Sequence, residues 1–317
     1  MASEARPTRA AGPAARPSEA AHVLLIEPRS FRFNPETRES NVFQEPVPPE
    51  EEGRLGELAI AQHDRLRDLL VSHGVAVTLT RSLENTPDGP FCNNWFSTHS
   101  GPGTATLVLY PMLAENRRPE RRRDLIELLR PAYPRLVDFS DRERGGSYLE
   151  STGSLVLDHR AGVAYAAISP RTDPALAEEW SREMGYQLIS FRATDETGIP
   201  YYHTNVLMFV GHRLAGVCLE AIEPEVDRRM VAERLSAGGN EIVPLTRSQV
   251  AEYCGNCLAL RSGSDEPLLV MSSRAFRGFA PEQLRSLERR ARLLHTDLSA
   301  FETLGGGSAR CLIGELF

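Results

Sequence analysis

The sequence predicts an α/β fold assembled from repeated strand–strand–helix–strand units. Two observations carry that expectation. Short aliphatic and β-branched runs alternate with amphipathic helical stretches from residue 22 onward. The alternation recurs about every 50–60 residues, the length of one supersecondary unit. Such units cannot bury both faces alone, so they are expected to pack around a common centre as a single domain over 22–317. The same periodicity is compatible with a doubly wound sheet. No G-x-G-x-x-G follows the first strand and no P-loop is present, so a nucleotide-binding fold of that kind is not expected.

The elements follow in order. In the first unit "HVLLIEP" reads as a strand, "RLGELAIAQHDRLRDLLVSH" has helical spacing, and "GVAVTLT" returns as a strand after Gly74. The second reads "TATLVLY", a helix beginning at Pro119 in "PERRRDLIELLRPAYP", then "RLVDF". The third pairs "GSLVLDH" with "GVAYAAIS", followed by the helix "DPALAEEWSREMG" and the strand "YQLISFRA". The fourth has "HTNVLMFVG", "RLAGVCLEAI", the helix "EPEVDRRMVAERLSAGG" and "EIVPLT". In the fifth, "NCLALRS" and "PLLVMSSRAF" precede the helix "APEQLRSLERRARLL", and a closing strand is expected around "RCLIGELF".

Composition narrows the class. An apolar fraction of 41% and a charged fraction of 25% over 317 residues are those of a globular protein with a sizeable core. The net charge of −7 argues against nucleic acid or an anionic membrane as partner. No run approaches the roughly 20 apolar residues of a membrane span. Residues 1–21 lack an apolar h-region and are expected to be a disordered tail, not a secretory signal. Five cysteines, an odd number, fit a reducing cytoplasm better than a disulfide framework.

Four stretches carry polar residues of a chemical kind at strand ends, where function concentrates. "FCNNWFSTHSGPG" contains Asn93 and Asn94, "GGSYLESTGS" contains Glu150, and "GIPYYHTNVLMF" contains His203 and Asn205. The fourth is the terminal glycine loop "GGGSARC", ending at Cys311. Each has a plain structural reading: turn chemistry for the asparagines, a solvated strand end for Glu150, a buried small hydrophobe for Cys311. Together, a Cys, a His and a carboxylate at the lips of successive repeats point to a thiolate nucleophile, an acid/base and an orienting group. "CGNC" at 254–257 has C-x-x-C spacing, but no second pair or histidine lies nearby and it runs into a strand, so neither metal nor redox use is expected. The basic clusters at 115–123 and 288–295 read as solvated helix faces, with Arg118 and its neighbours candidates for a carboxylate clamp.

The terminal G-G-G-S-x-x-C, the "LESTG" turn, the "HTN" strand start and the "F-x-N-N-W" loop resemble the guanidino-group-modifying enzymes. That superfamily includes arginine deiminase, dimethylarginine dimethylaminohydrolase, amidinotransferases and succinylarginine dihydrolase. Within it, "NNWFSTH", "NRRPERR" and "ETLGGGSARC" look most like the bacterial citrulline hydrolase branch. The resemblance implies a pentein fold, five strand–strand–helix–strand modules in a pseudo-fivefold α/β propeller around a central pocket. It implies Cys311 as nucleophile, His203 as general acid/base and Glu150 as the carboxylate beside it. Asn94, Asn93 and Asn205 would meet the reacting group, Asn94 where deiminases place an aspartate and Asn205 where they place the Asp of H-x-D. Arg171, in "SPRTDP", and Arg118 would clamp the substrate carboxylate, and Gly307 and Ser308 of the glycine loop would complete the substrate site. No cofactor or metal is implied.

The Asn replacements bear on the substrate. A guanidinium is a cation whose burial needs carboxylates, whereas a ureido group is neutral and offers both donors and an acceptor. Asn matches the latter, which favours citrulline, with ornithine, ammonia and carbon dioxide as products. The alternatives are an arginine deiminase, a dimethylarginine or succinylarginine hydrolase, an amidinotransferase, or a non-catalytic pentein that binds an amino acid or another subunit. The partner is expected to be a small amino-acid substrate; whether the chain forms a homodimer or larger homo-oligomer stays open.

Overall fold

Five small sheets share one pairing pattern. In each, a central strand pairs antiparallel with one neighbour and parallel with the other. The structure, a computed structural model, describes residues 16–101 and 103–317. The central strands are His22–Glu27, Thr106–Leu109, Val163–Ala167, Leu214–Val217 and Pro267–Ser272. Their antiparallel partners are Gly314–Leu316, Phe96–His99, Val156–Asp158, Met208–Gly211 and Leu258–Arg261, in that order. The parallel partners Ala76–Arg81, Arg135–Asp138, Gln187–Ala193, Glu241–Pro244 and Arg292–Thr296 return after helical crossovers. In the third sheet, Ile222–Glu223 adds a fourth strand against Gln187–Ala193.

Burial explains the order within each sheet. Thr106–Leu109, Val163–Ala167 and Leu214–Val217 are buried along their whole length, as strands covered on both faces must be. The parallel partner Gln187–Ala193 instead alternates buried and exposed side chains. Helix Pro49–Ser72 buries Leu55, Ala59, Leu66 and Leu70, one stripe at helical spacing. Helix Pro174–Met184 starts where the Asp173 side chain accepts from the Leu176 N–H at 2.8 Å, ends at left-handed Gly185, and buries Trp180.

Two sequence expectations are corrected. The C-terminal strand does not close the fifth unit. Gly314–Leu316 pairs with His22–Leu24 and completes the first sheet, so the two ends of the described chain share one sheet. The fifth sheet is closed by Arg292–Thr296, part of which read as helix, because it runs parallel to the buried strand Pro267–Ser272. The second correction concerns the tail. Residues 1–15 lie outside the described residues, but Arg16–Ala21 packs on the domain. Glu19 pairs with His212 and Arg261, and Ala20 bridges Leu260. No helix among the described residues is long and apolar enough to cross a membrane.

Gly314–Leu316 packs on Phe96–His99, and Met208–Gly211 packs on both Val156–Asp158 and Leu258–Arg261. Each is entered by a tight turn: Cys92–Asn94, Ser151–Ser154, Thr204–Val206, residues 253–256 and Ala309–Leu312. That repetition brings remote segments together at one end of the inner strands.

Candidate active site

Cys311 sits in the turn Ala309–Leu312, its N–H donating to the Ser308 carbonyl at 3.0 Å. It lines a small pocket together with His203, Asn94, Asp88, Arg117, Arg171, Tyr202 and Gly307. The side chains of Asn256 and Asn205 approach its sulfur, with Nδ2 at 3.3 and 3.9 Å. Burial pushes the Cys311 thiol up, and the hydrogen bond from Asn256 works against that.

His203 precedes the turn Thr204–Val206 in extended conformation, which aims its ring into the cavity. Its Nε2 lies 2.8 Å from Glu150 Oε2. Glu150 is fully buried and saturated. Oε1 accepts the Leu113 N–H at 3.0 Å, and Oε2 also accepts from Arg171 Nη1 at 3.3 Å. Burial would raise the Glu150 carboxyl, but Arg171, the His203 hydrogen bond and Arg117 together hold it below the usual carboxylate range. Burial lowers His203 to about 4 against the opposing pull of Glu150. The resting pair is therefore a thiol and a neutral imidazole near pH 7, with a carboxylate in place to stabilise the imidazolium once a proton moves. Gly153 is obligatory here. A Cβ on it would lie 2.5 Å from Asn94 Nδ2 and 2.7 Å from His203 Nδ1.

Asn94 has a fixed amide orientation. Arg117 Nη1 donates to its Oδ1 at 3.0 Å, and its buried Nδ2 has no partner. Arg117 is itself held by Glu120 through two 2.9 Å bonds, with Asp88 Oδ2 at 3.8 Å from Nε. Burial pushes Glu120 up to about 7 despite Arg117. Asp88 Oδ2 accepts from Asn34 at 2.7 Å and Thr37 at 3.2 Å, while its Oδ1 has no partner. Arg171 reaches across to Ser40 Oγ at 2.7 Å and the Thr37 carbonyl at 3.0 Å, with its guanidinium 5.0 Å from the Tyr202 ring.

The structure thus brings Cys311, His203, Asn94, Arg171 and Gly307 to one cavity, with Glu150 directly behind His203. Asn205 is beside the sulfur, though its Nδ2 also donates to the Thr152 carbonyl at 3.1 Å. Asn93 turns to Thr152 Oγ1 at 3.3 Å, and Ser308 Oγ donates to Glu302 Oε1 at 2.7 Å; neither side chain lines the cavity. Arg118 does not reach it either. It is partly exposed and faces Glu115 and Glu143, whereas its neighbour Arg117 points inward. The cause is the phase of the 3₁₀ turn Glu115–Glu120, where successive side chains diverge by about a third of a turn. Asp88, Tyr202 and Asn256 went unread in the sequence, and Arg117 was covered only as a neighbour of Arg118. Only the closeness of Asp88 to the "F-x-N-N-W" loop offered a signal. Cys254 and Cys257 are buried free thiols, and no group of three or more His, Cys, Asp or Glu among the described residues is arranged to hold a metal.

The sequence model of the eukaryotic N,N-dimethylarginine dimethylhydrolase family matches residues 27–317. The chain belongs to that family. No curated protein matches it in sequence. Among solved structures, it is similar to the N-terminal domain of ArgZ, an arginine dihydrolase of the cyanobacterial ornithine–ammonia cycle, in a Cys-to-Ser variant bound to substrate. The TM-score is 0.72 at 16% identity, covering 93% of this chain and 97% of that one. A variant of AgrE in complex with L-arginine gives 0.70 at 17% identity and 93% coverage, this chain spanning 40% of its length. A dimethylarginine dimethylaminohydrolase adduct with 4-chloro-2-hydroxymethylpyridine gives 0.64 at 16% identity, covering 94% and 100%. The α/β fold of this chain is the fold of these guanidino-modifying enzymes.

Proposed function

We propose that the protein is a cysteine-dependent hydrolase of the ureido or guanidino group of an amino acid, with citrulline the favoured substrate. The five repeated sheets support the pentein arrangement, a pseudo-fivefold propeller about this cavity. Cys311 gives its proton to His203 and attacks the planar carbon. The resulting imidazolium, stabilised by Glu150, protonates the departing amine. Water activated by His203 then hydrolyses the thiocarbamate, so that citrulline and water yield ornithine, ammonia and carbon dioxide. Arg171, which lines the same pocket, is the proposed partner of the substrate carboxylate.

The observation that favours citrulline is the free Nδ2 of Asn94, held with its donor side open by Arg117. A buried donor without a partner suits a carbonyl oxygen; a guanidinium presents only donors. A second reading, hydrolysis of arginine or a methylated arginine, draws on the unpartnered Oδ1 of Asp88, which suits a cation, and on the family. Incubation with citrulline, arginine, methylated arginines and succinylarginine, following ammonia, methylamines and ornithine, decides between them. Preferential turnover of citrulline is expected; turnover of a guanidino substrate alone would leave the second reading.

A further inference from the structure

Four of the five turns that enter the inner strands carry, or directly follow, a residue that the sequence marks as chemical. The turn before Leu258–Arg261, "YCGNC", carries none, and its two thiols are not the answer. Cys254 Sγ donates to the Ala275 carbonyl at 3.4 Å and Cys257 Sγ to that of Cys254 at 3.4 Å. Burial pushes Cys254 up to about 12 and Cys257 well above the ordinary thiol range. Neither lines the cavity that holds Cys311.

The residue between them is placed differently. Asn256 is 2% exposed, and its carboxamide touches two functional turns at once. Nδ2 donates to the Asn205 carbonyl at 3.0 Å and lies 3.3 Å from Cys311 Sγ. Oδ1 accepts the Arg310 N–H at 3.1 Å. Both ends of the amide reach the sulfur, and the N–H is the nearer: Nδ2 lies at 3.3 Å, whereas Oδ1, which holds the Arg310 N–H, is 3.7 Å from Sγ and accepts from the neutral thiol. The loop is built for this approach. A Cβ on Gly255 would fall 2.2 Å from the Val206 carbonyl oxygen, so only glycine lets the strand entry close on the turn after His203. Tyr253 adopts φ +61°, an unfavourable left-handed conformation, with its hydroxyl donating to the Glu302 carbonyl at 3.0 Å.

We propose that Asn256 is the positioning residue for the nucleophile, holding Cys311 Sγ through an N–H donor that strengthens when the thiol becomes a thiolate. The inference rests on the assignment of Cys311 as nucleophile. When Sγ passes its proton to His203 it becomes a charged acceptor in a buried site. A donor already in place then stabilises the charged form more than the neutral one. Burial opposes ionisation of this sulfur, and the amide is the nearest group that offsets it.

The primary readout uses Cys311 alone and needs no substrate. The rate of carboxamidomethylation of the Cys311 peptide by iodoacetamide is followed by mass spectrometry against pH in wild type, Asn256→Ala and Asn256→Asp. Loss of one hydrogen bond to a charged group should raise the midpoint by about one to two pH units in Asn256→Ala. Asn256→Asp keeps the acceptor for the Arg310 N–H but sets a carboxylate against the sulfur, so its midpoint should rise further. At pH 7, kcat/KM should fall by about 10–100-fold in Asn256→Ala and by more in Asn256→Asp, and recover toward wild type as pH rises. A folded variant whose midpoint stays within about 0.3 units of wild type overturns the proposal, as does an Asn256→Asp protein that behaves like wild type, which would reduce the residue to a backbone acceptor. Should neither variant fold, the side-chain amide resonance of Asn256 in ¹⁵N-labelled wild type takes their place. It should titrate at the Cys311 alkylation midpoint and lose that titration in Cys311→Ala; a resonance indifferent to Cys311 overturns the proposal. If turnover instead persists in Cys311→Ser, the functional reading fails, while the alkylation profile still reports on Asn256.

Discussion

Replacing Asn94 by Asp separates a neutral from a cationic substrate. In the wild type, Arg117 Nη1 sits 3.0 Å from Asn94 Oδ1, and that contact survives as a charged pair in Asn94→Asp. The change falls on the other atom, where the unpartnered Nδ2 becomes an oxygen. A ureido carbonyl then loses a donor and meets an acceptor, which costs about 1–3 kcal/mol in a buried site. A guanidinium gains a charge-assisted bond of roughly twice the neutral strength. The two effects act in opposite directions, so the ratio of kcat/KM for citrulline over arginine should fall by more than about tenfold, since 1.4 kcal/mol is one decade. The assay is initial-rate release of ornithine and ammonia from each substrate, with thermal unfolding to confirm that the variant folds. An unchanged ratio would refute the reasoning, because it would mean that Asn94 does not face the reacting group. A wild type that prefers arginine would reject the neutral-substrate argument outright.

Arg118→Ala should leave kcat/KM within a few-fold, whereas Arg117→Ala strands Glu120 and Asp88 in the interior and should lower stability by about 3–5 kcal/mol in denaturant titration. Cys254→Ser and Cys257→Ser should retain turnover within a few-fold in the folded protein; loss in either would revive a role for the C-x-x-C pair. Acid should destabilise the protein in the window of its buried histidines. Burial lowers His63 and His203 to about 4 and His99 to about 3, while the unfolded chain titrates near 6.5. The unfolded state thus binds more protons, and this contribution to stability is complete above pH 6.5 or so and lost as pH falls toward 4. The melting temperature should decline over that range. His63→Leu, which removes an imidazole with no partner on either nitrogen, should raise it and flatten the decline.

Much of the third and fourth units was legible because their strands are apolar and their helices begin and end on Pro, Asp and Gly signals. Strand Phe96–His99 was not. Its "FSTH" is buried at every position yet reads as polar loop between an Asn pair and a Gly-Pro-Gly turn. The closure of the first sheet by Gly314–Leu316 depends on pairing across nearly the whole chain, which no local period encodes. Within the site, Cys311, His203 and Glu150 announced themselves by residue type at strand ends. Arg117 and Arg118 did not separate, because the choice depends on the phase of a short 3₁₀ turn. Asn256 was masked by the cysteines that flank it, and its partners lie 51 and 55 residues away.

The central claim, covalent catalysis by Cys311, is tested most directly by rapid-quench mass spectrometry of the protein during turnover of citrulline. A thiocarbamate should appear on the Cys311 peptide of wild type, accumulate and decay with turnover, and be absent from Cys311→Ser, whose activity should fall by at least about 10³-fold. Turnover with no adduct at any quench time, or near-wild-type turnover in Cys311→Ser, would contradict it.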